Sequence, residues 1–203
     1  MSDDLVFYTN PQSRGRIVRW MLEEVGAPYT TEILDYATTM KAPEYLAINP
    51  MGKVPAIRHG DTVVTECAAI CAYLADAFPE AGLAPPARQR GPYYRWLFFA
   101  AGPLEAAIVN TSLGFEVPEE RQRMAGYGNL ALTLAALETA FAGGPYITGD
   151  SFSAADVYVG AQLIWGLQFG TIDKRKTFER YAEQLTDRAA YRKATELDDA
   201  AAQ

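Results

Sequence analysis

Histidine is nearly missing from this chain: His59 is the only one, and Cys67 and Cys71 are the only cysteines. One histidine leaves little material for a Ser-His-Asp triad or a His-rich metal site, so no metal is expected. Two cysteines cannot build a disulfide framework, which makes a reducing cytoplasm the expected location. Basic residues are also in deficit, with 18 Lys and Arg against 25 Asp and Glu and a net charge of −7. Nucleic acids and anionic membrane surfaces both require a basic footprint, so neither is an expected partner. No apolar run approaches the ~20 residues of a membrane span. The start, Met1-Ser2-Asp3-Asp4, is acidic and lacks the basic-then-apolar pattern of a secretion signal.

What remains is a chain of 203 residues, 49% hydrophobic and 21% charged, long enough for one large domain or two small ones with a real core. Residues 5–8 form a short apolar run suited to a buried strand. A polar turn, Thr9-Asn10-Pro11-Gln12-Ser13, leads into a helix whose apolar residues Ile17, Trp20, Met21 and Val25 recur at helical spacing, with Gly26 as its stop. Residues 29–34 read as a second strand and 43–48 as a helical turn. Two strands, 54–59 and 62–65, flank Gly60-Asp61 as in a β-hairpin, and 66–78 reads as a helix. A βαβ unit followed by ββα within about 80 residues is the thioredoxin-like pattern. Residues 80–90 are rich in proline and glycine and read as a linker. No convincing strand follows. Helices are expected over 88–115 with a kink at Gly102-Pro103, and over 119–142, 154–169, 175–185 and 189–201. The fold class is therefore α/β plus all-α: a thioredoxin-like domain over 1–79 and an all-helical domain over 91–203.

The stretch Asn49-Pro50-Met51-Gly52-Lys53-Val54-Pro55-Ala56-Ile57 stands out. Pro50-Met51-Gly52 has turn chemistry, with glycine free to take a positive φ. Pro55 has no N–H for a sheet ladder, so it marks an edge, or a bend where the backbone can meet something else, and a cis Val54–Pro55 bond would produce such a bend. An ordinary join from loop to strand is the other reading.

Ser13, at the start of the first helix, can be a simple N-cap. It can also donate a hydrogen bond to a bound thiolate. Lowering a thiol pKa of about 8.5 by ~2 units takes roughly 2.7 kcal/mol. A hydrogen bond to a charged group supplies about 1.5–3 kcal/mol and a helix N-terminus ~0.3–1, so no general base is needed. Tyr8 is the competing hydroxyl. In Thr65-Glu66-Cys67, Glu66 suits a helix start but could also hold an ammonium group, with the Cys67 amide meeting a carboxylate. Cys67 and Cys71, four apart, fit small buried residues better than a metal or redox pair. Ser153 and Asp156 form a capping box, with Phe152 and Val157 spaced as a hydrophobic staple. Among the aromatics, Phe99, Trp165 and Phe169 are candidates for lining an apolar pocket between the domains.

Taken together, Phe7-Tyr8 before Ser13-Arg14-Gly15-Arg16, then Asn49 to Pro55, Thr65-Glu66 and Ser153-Ala154-Ala155-Asp156 resemble the cytosolic glutathione transferase superfamily, of a bacterial and serine-using type. The resemblance covers essentially the whole chain. It implies a detoxifying transferase whose co-substrate is glutathione, with a small hydrophobic electrophile or a peroxide as the second substrate. Val54 would pair its backbone with the cysteinyl part of glutathione, and Pro55 would be cis. Lys53 would approach the glycyl carboxylate, Glu66 the γ-glutamyl end, and Cys67 stands where the family usually has serine. Ser13, or alternatively Tyr8, would activate the thiol. The resemblance further implies a homodimer. A glutathione-binding protein without turnover, or a glutathione-dependent disulfide reductase, are the alternatives.

Overall fold

The first unit is built around β1 (Leu5–Thr9), one of the two inner strands of a four-stranded sheet of order β2-β1-β3-β4. The computed structural model describes residues 4–202, so the acidic start Met1-Ser2-Asp3 lies outside the described residues, as does Gln203. β2 (Thr30–Ile33) runs parallel to β1, while β3 (Ala56–His59) is antiparallel to it and continues through the hairpin into β4 (Thr62–Thr65). Between β1 and β2 lies α1 (Gly15–Val25), ended by Gly26 in the left-handed region at φ 69°, where its N–H reaches the Leu22 carbonyl.

The period-two alternation of the sheet sorts its side chains to two faces. Phe7 and Ile57 face each other in register and are fully buried, along with Ile17 and Met21 of α1 and Ile70 and Leu74 of α3 (Cys67–Ala77). Tyr8 pairs with Ala56 on the other face, where a smaller cluster gathers Met40 and Tyr45, the latter from the short helix α2 (Pro43–Leu46).

The chain divides into two units, one of Met1–Leu83 with Asp187–Gln203 and one of Ala84–Thr186. The sequence reading assigned residues 187–203 to the helical domain. Residues 187–203 group with the first unit because α9 (Ala189–Ala201) lies along α1 with matched charges. Arg19 pairs with Asp198 at 2.7 Å, both buried, and Arg188 meets both oxygens of Glu24 at 2.6 and 2.7 Å. Lys193 pairs with Glu23, and Trp20 stacks edge-on against Tyr191.

The second unit is helical. α4 (Gly91–Phe99) passes through a π-turn at Ala100–Leu104 into α5 (Glu105–Ser112). Pro103 lies inside that turn, where its missing N–H and its ring are tolerated, so the expected kink is a local widening of the helix. The expected helix over 119–142 is shorter than the sequence reading had it. Glu119–Met124 is a 3₁₀ segment, Gly126 and Gly128 break the run with Gly128 at φ 64°, and α6 (Leu130–Ala142) starts afresh from Asn129, whose side chain accepts from the Leu132 N–H. α7 (Ala154–Phe169) is the buried helix of this unit and α8 (Lys176–Thr186) covers it. At the start of α7, Asp156 takes four donors: the Ser153 N–H and hydroxyl, the Ile147 N–H and the Tyr181 hydroxyl, all within 2.9 Å.

Candidate functional site

The turn after β1 is held by its own polar groups. Asn10 donates to the Leu34 carbonyl at 2.9 Å and accepts from the Gln12 N–H, and the Ser13 hydroxyl donates to the Asn10 carbonyl at 2.6 Å. The Gly15 N–H donates to Ser13 Oγ at 2.9 Å. Arg14, not Ser13, holds the N-cap position, so Ser13 satisfies the first free N–H of α1 from one residue outside it. Position 15 must be glycine: a Cβ there would sit 1.9 Å from Thr9 Oγ1 and 3.0 Å from Ser13 Oγ. The start of α1 therefore presses directly on the end of β1, and Ser13 is half-buried at that junction.

The stretch 49–57 is buttressed from behind. The Tyr45 hydroxyl and the Asn49 side-chain amide both donate to the Lys53 carbonyl, at 2.6 and 2.8 Å, and Lys41 Nζ donates to the Gly52 carbonyl at 2.6 Å. Burial pushes the Tyr45 hydroxyl up to about 12, so it stays a donor across the neutral range. Gly52 takes φ 57°, as the turn chemistry suggested, with the Met40 carbonyl and Lys41 Nζ close against it. The Val54–Pro55 peptide is cis. The strand, expected from Val54, begins at Ala56 because Pro55 cannot donate to the ladder. Among the described residues the Val54 N–H and carbonyl have no hydrogen-bond partner. Its side chain is anchored on the Met40–Tyr45 cluster, leaving an extended edge of backbone unpaired.

Glu66 holds the third feature, a positive φ of 66° with ψ 122° at the start of α3, and it is the one non-glycine residue with positive φ among those described. A side-chain-bearing residue in that region carries a cost of order 1–3 kcal/mol, and such residues cluster at binding sites. Its carboxylate is exposed. Cys67 follows, buried, with Sγ 3.7 Å from the Arg14 carbonyl, which brings the starts of α3 and α1 together. Cys71 is fully buried and burial pushes its thiol well up, as fits an inert packing residue.

Tyr8 is placed differently from Ser13. Its ring tilts against Tyr45 at 5.6 Å and its hydroxyl hydrogen-bonds the Arg58 guanidinium. His59 is engaged with Tyr73, Nδ1 to hydroxyl 3.0 Å, and stacks on Phe78. In the helical unit, Phe99 is half-buried and edge-on to Trp96, Trp165 is half-buried on α7, and Phe169 is 76% exposed at its end. Of the supporting residues, Asn10 and Asn49 lay within stretches that the sequence marked, with no role of their own, and Lys41 and Tyr45 were not singled out.

Residues 13–77 match the glutathione S-transferase N-terminal domain family and residues 87–165 the glutathione S-transferase C-terminal domain family. Among curated proteins, glutathione S-transferase GstA of Escherichia coli O157:H7 is 30% identical over 71% of this chain and 73% of its own. A glutathione transferase structure from Methylococcus capsulatus superposes with a TM-score of 0.79 at 30% identity, covering 97% of this chain and 99% of that one. A glutathione transferase homologue from Sulfitobacter, solved with bound glutathione, gives 0.77 at 28% identity with the same coverage.

Proposed function

Because the chain belongs to the glutathione S-transferase family, we propose that its first unit docks glutathione on the free backbone edge of Val54 and activates the thiol at Ser13. The unpaired N–H and carbonyl of Val54 carry this reading, since an extended peptide can add to such an edge as a short strand. Lys53 supplies a cation for the glycyl carboxylate, with Lys41 beside it on the Gly52 carbonyl. Glu66 faces solvent and takes the γ-glutamyl ammonium, while the Cys67 amide, at the first turn of α3, meets the γ-glutamyl carboxylate.

Ser13 is supported as the activating hydroxyl by what already holds it. The Gly15 N–H polarises its oxygen, and a hydroxyl that accepts one hydrogen bond is a better donor in the next. When the sulfur arrives, the Ser13 proton turns from the Asn10 carbonyl to the thiolate. That hydrogen bond and the start of α1 together supply the roughly 2.7 kcal/mol that a shift of ~2 pKa units requires. The thiolate then forms a carbon–sulfur bond with a small apolar electrophile as that carbon's leaving group departs as an anion. Alternatively it attacks a peroxide oxygen, breaking the O–O bond to give a glutathione sulfenic acid and an alkoxide that takes a proton from water. A second glutathione then converts the sulfenic acid to the disulfide and water. Phe99, Trp165 and Phe169 of the helical unit provide apolar surface for the electrophile. The working form is a homodimer in the cytoplasm.

The test is retention on immobilised glutathione together with conjugation of a chlorodinitrobenzene followed by absorbance. Retention with turnover is the expected outcome. Retention with no turnover on electrophiles or peroxides would leave a glutathione-binding protein, and loss of both removes the reading.

A further inference from the structure

Arg16 links two parts of the first unit that are far apart in sequence. Its Nε donates to the Pro11 carbonyl at 2.7 Å, inside the turn that carries Ser13, and its Nη2 donates to Asp199 Oδ1 near the end of α9. The guanidinium fork is planar, so fixing one nitrogen on Asp199 fixes the direction of the other toward Pro11. One turn further along α1, the buried Arg19–Asp198 pair anchors α9 in register, with Arg19 also donating to the Tyr29 hydroxyl and Thr31 Oγ1. On α9 the charged and titratable groups that face Arg16 include Asp199, Asp198 and Tyr191, and Arg19 lies one turn along on α1. The neighbouring turn residue Asn10 accepts the Ser13 hydroxyl, so a shift of the Pro11 carbonyl moves the frame in which that hydroxyl is aimed.

We propose that Arg16 and Asp199 are positioning residues for thiol activation: the C-terminal helix α9 holds the Asn10–Ser13 turn in its active shape through the Arg16 fork. This rests on the reading that Ser13 stabilises the glutathione thiolate. Neither residue touches the sulfur in this account. Their effect runs through the Pro11 carbonyl.

Charge alone and positioning predict opposite signs at Asp199. Removing an anion near a thiolate favours the thiolate, so a through-space effect would lower the thiol pKa of bound glutathione in Asp199→Asn. Loss of positioning raises it. The measurement is the ultraviolet absorbance of the thiolate against pH in the full-length protein saturated with glutathione, with the dissociation constant determined in parallel. The expected result is a midpoint higher than wild type in Asp199→Asn and higher still, by about one unit, in Arg16→Gln, a ~10-fold loss of thiolate below the midpoint. Glutathione affinity should change far less. The double variant should match Arg16→Gln alone, since the two act in series. Arg16→Lys keeps the charge but loses the fork and should also raise the midpoint. Asp187→Asn removes an exposed pair between a residue just before α9 and Arg192 in its first turn, and serves as the control that leaves the midpoint unchanged. An unchanged or lowered midpoint in Asp199→Asn, full recovery in Arg16→Lys, or a loss of thermal stability with the wild-type midpoint retained overturns the proposal. An unshifted thiol in the wild-type complex removes the activation reading itself, and the proposal with it.

Discussion

The Cys67 thiol lies 3.7 Å from the Arg14 carbonyl oxygen, joining the first turn of α3 to the residue that begins α1. Two helix N-termini, each with the partial positive charge of a helix start, are thereby brought together. The buried thiol packs there as a weak donor, and in the proposed reading it is the Cys67 backbone amide, not the side chain, that meets the ligand.

That division of labour predicts that Cys67→Ala keeps glutathione affinity within about threefold of wild type, under the ~1.4 kcal/mol that a tenfold change represents. Isothermal titration measures it directly. A loss well beyond tenfold would show that the side chain, not the amide, contacts the ligand.

Glu66 holds an unfavourable backbone conformation, φ 66° and ψ 122°, at the same junction. Replacing it with glycine relieves the Cβ clash, so Glu66→Gly should raise the stability of the free protein by about 1 kcal/mol while weakening glutathione binding by tenfold or more. Denaturant unfolding and titration together decide this. A variant that loses both stability and affinity would contradict the view that strain is stored there for binding.

Asp156 is fully buried and accepts from Ile147, Ser153 and Tyr181. Burial pushes its carboxyl up, and the donors, the Tyr181 hydroxyl foremost, pull it back toward the ionised form. Asp156→Ala leaves several buried donors unpaired and should destabilise the helical unit by roughly 3–5 kcal/mol. That is less than the sum of about 1.5–3 kcal/mol for each hydrogen bond to a charged group, because losses within one network do not add. Circular dichroism during urea unfolding reads the effect. A change under about 1 kcal/mol would mean that the capping network is dispensable.

Burial and a hydrogen bond to Glu23 push the Tyr29 hydroxyl up to about 12 from its ordinary value near 10. The folded state therefore keeps its proton after the unfolded chain has released it. The stabilising contribution is complete below about pH 10 and is lost as pH rises from there toward 12. Unfolding midpoints between about pH 9 and 11.5 should fall more steeply in wild type than in Tyr29→Phe. Equal slopes would place the ionisation elsewhere.

The sequence made local features readable and long-range ones not. The hairpin at Gly60-Asp61, the stop at Gly26, the turn at Gly52 and the capping box of Ser153 and Asp156 are written in adjacent residues, and each is in place. The break at Gly126 and Gly128 was equally local, but the Ala- and Leu-rich pattern of α6 hid it. The return of α9 to α1 was not legible, because Arg19 and Asp198 lie 179 positions apart and each alone looks like a surface charge. The same holds in the site. Val54, Pro55 and Glu66 could be named from their motifs, whereas Lys41 and Tyr45 act through carbonyls, and Arg16 through the Pro11 carbonyl and the Asp199 carboxylate, that folding brings to them.

The central claim is that the Ser13 hydroxyl, held by the Gly15 N–H and the Asn10 carbonyl, stabilises the glutathione thiolate. Thiolate absorbance of bound glutathione across pH tests it most directly. The wild-type complex should titrate about two units below a free thiol, Tyr8→Phe should match it, and Ser13→Ala should return the midpoint toward about 8.5. Full thiolate in Ser13→Ala, with its loss in Tyr8→Phe, would contradict the account.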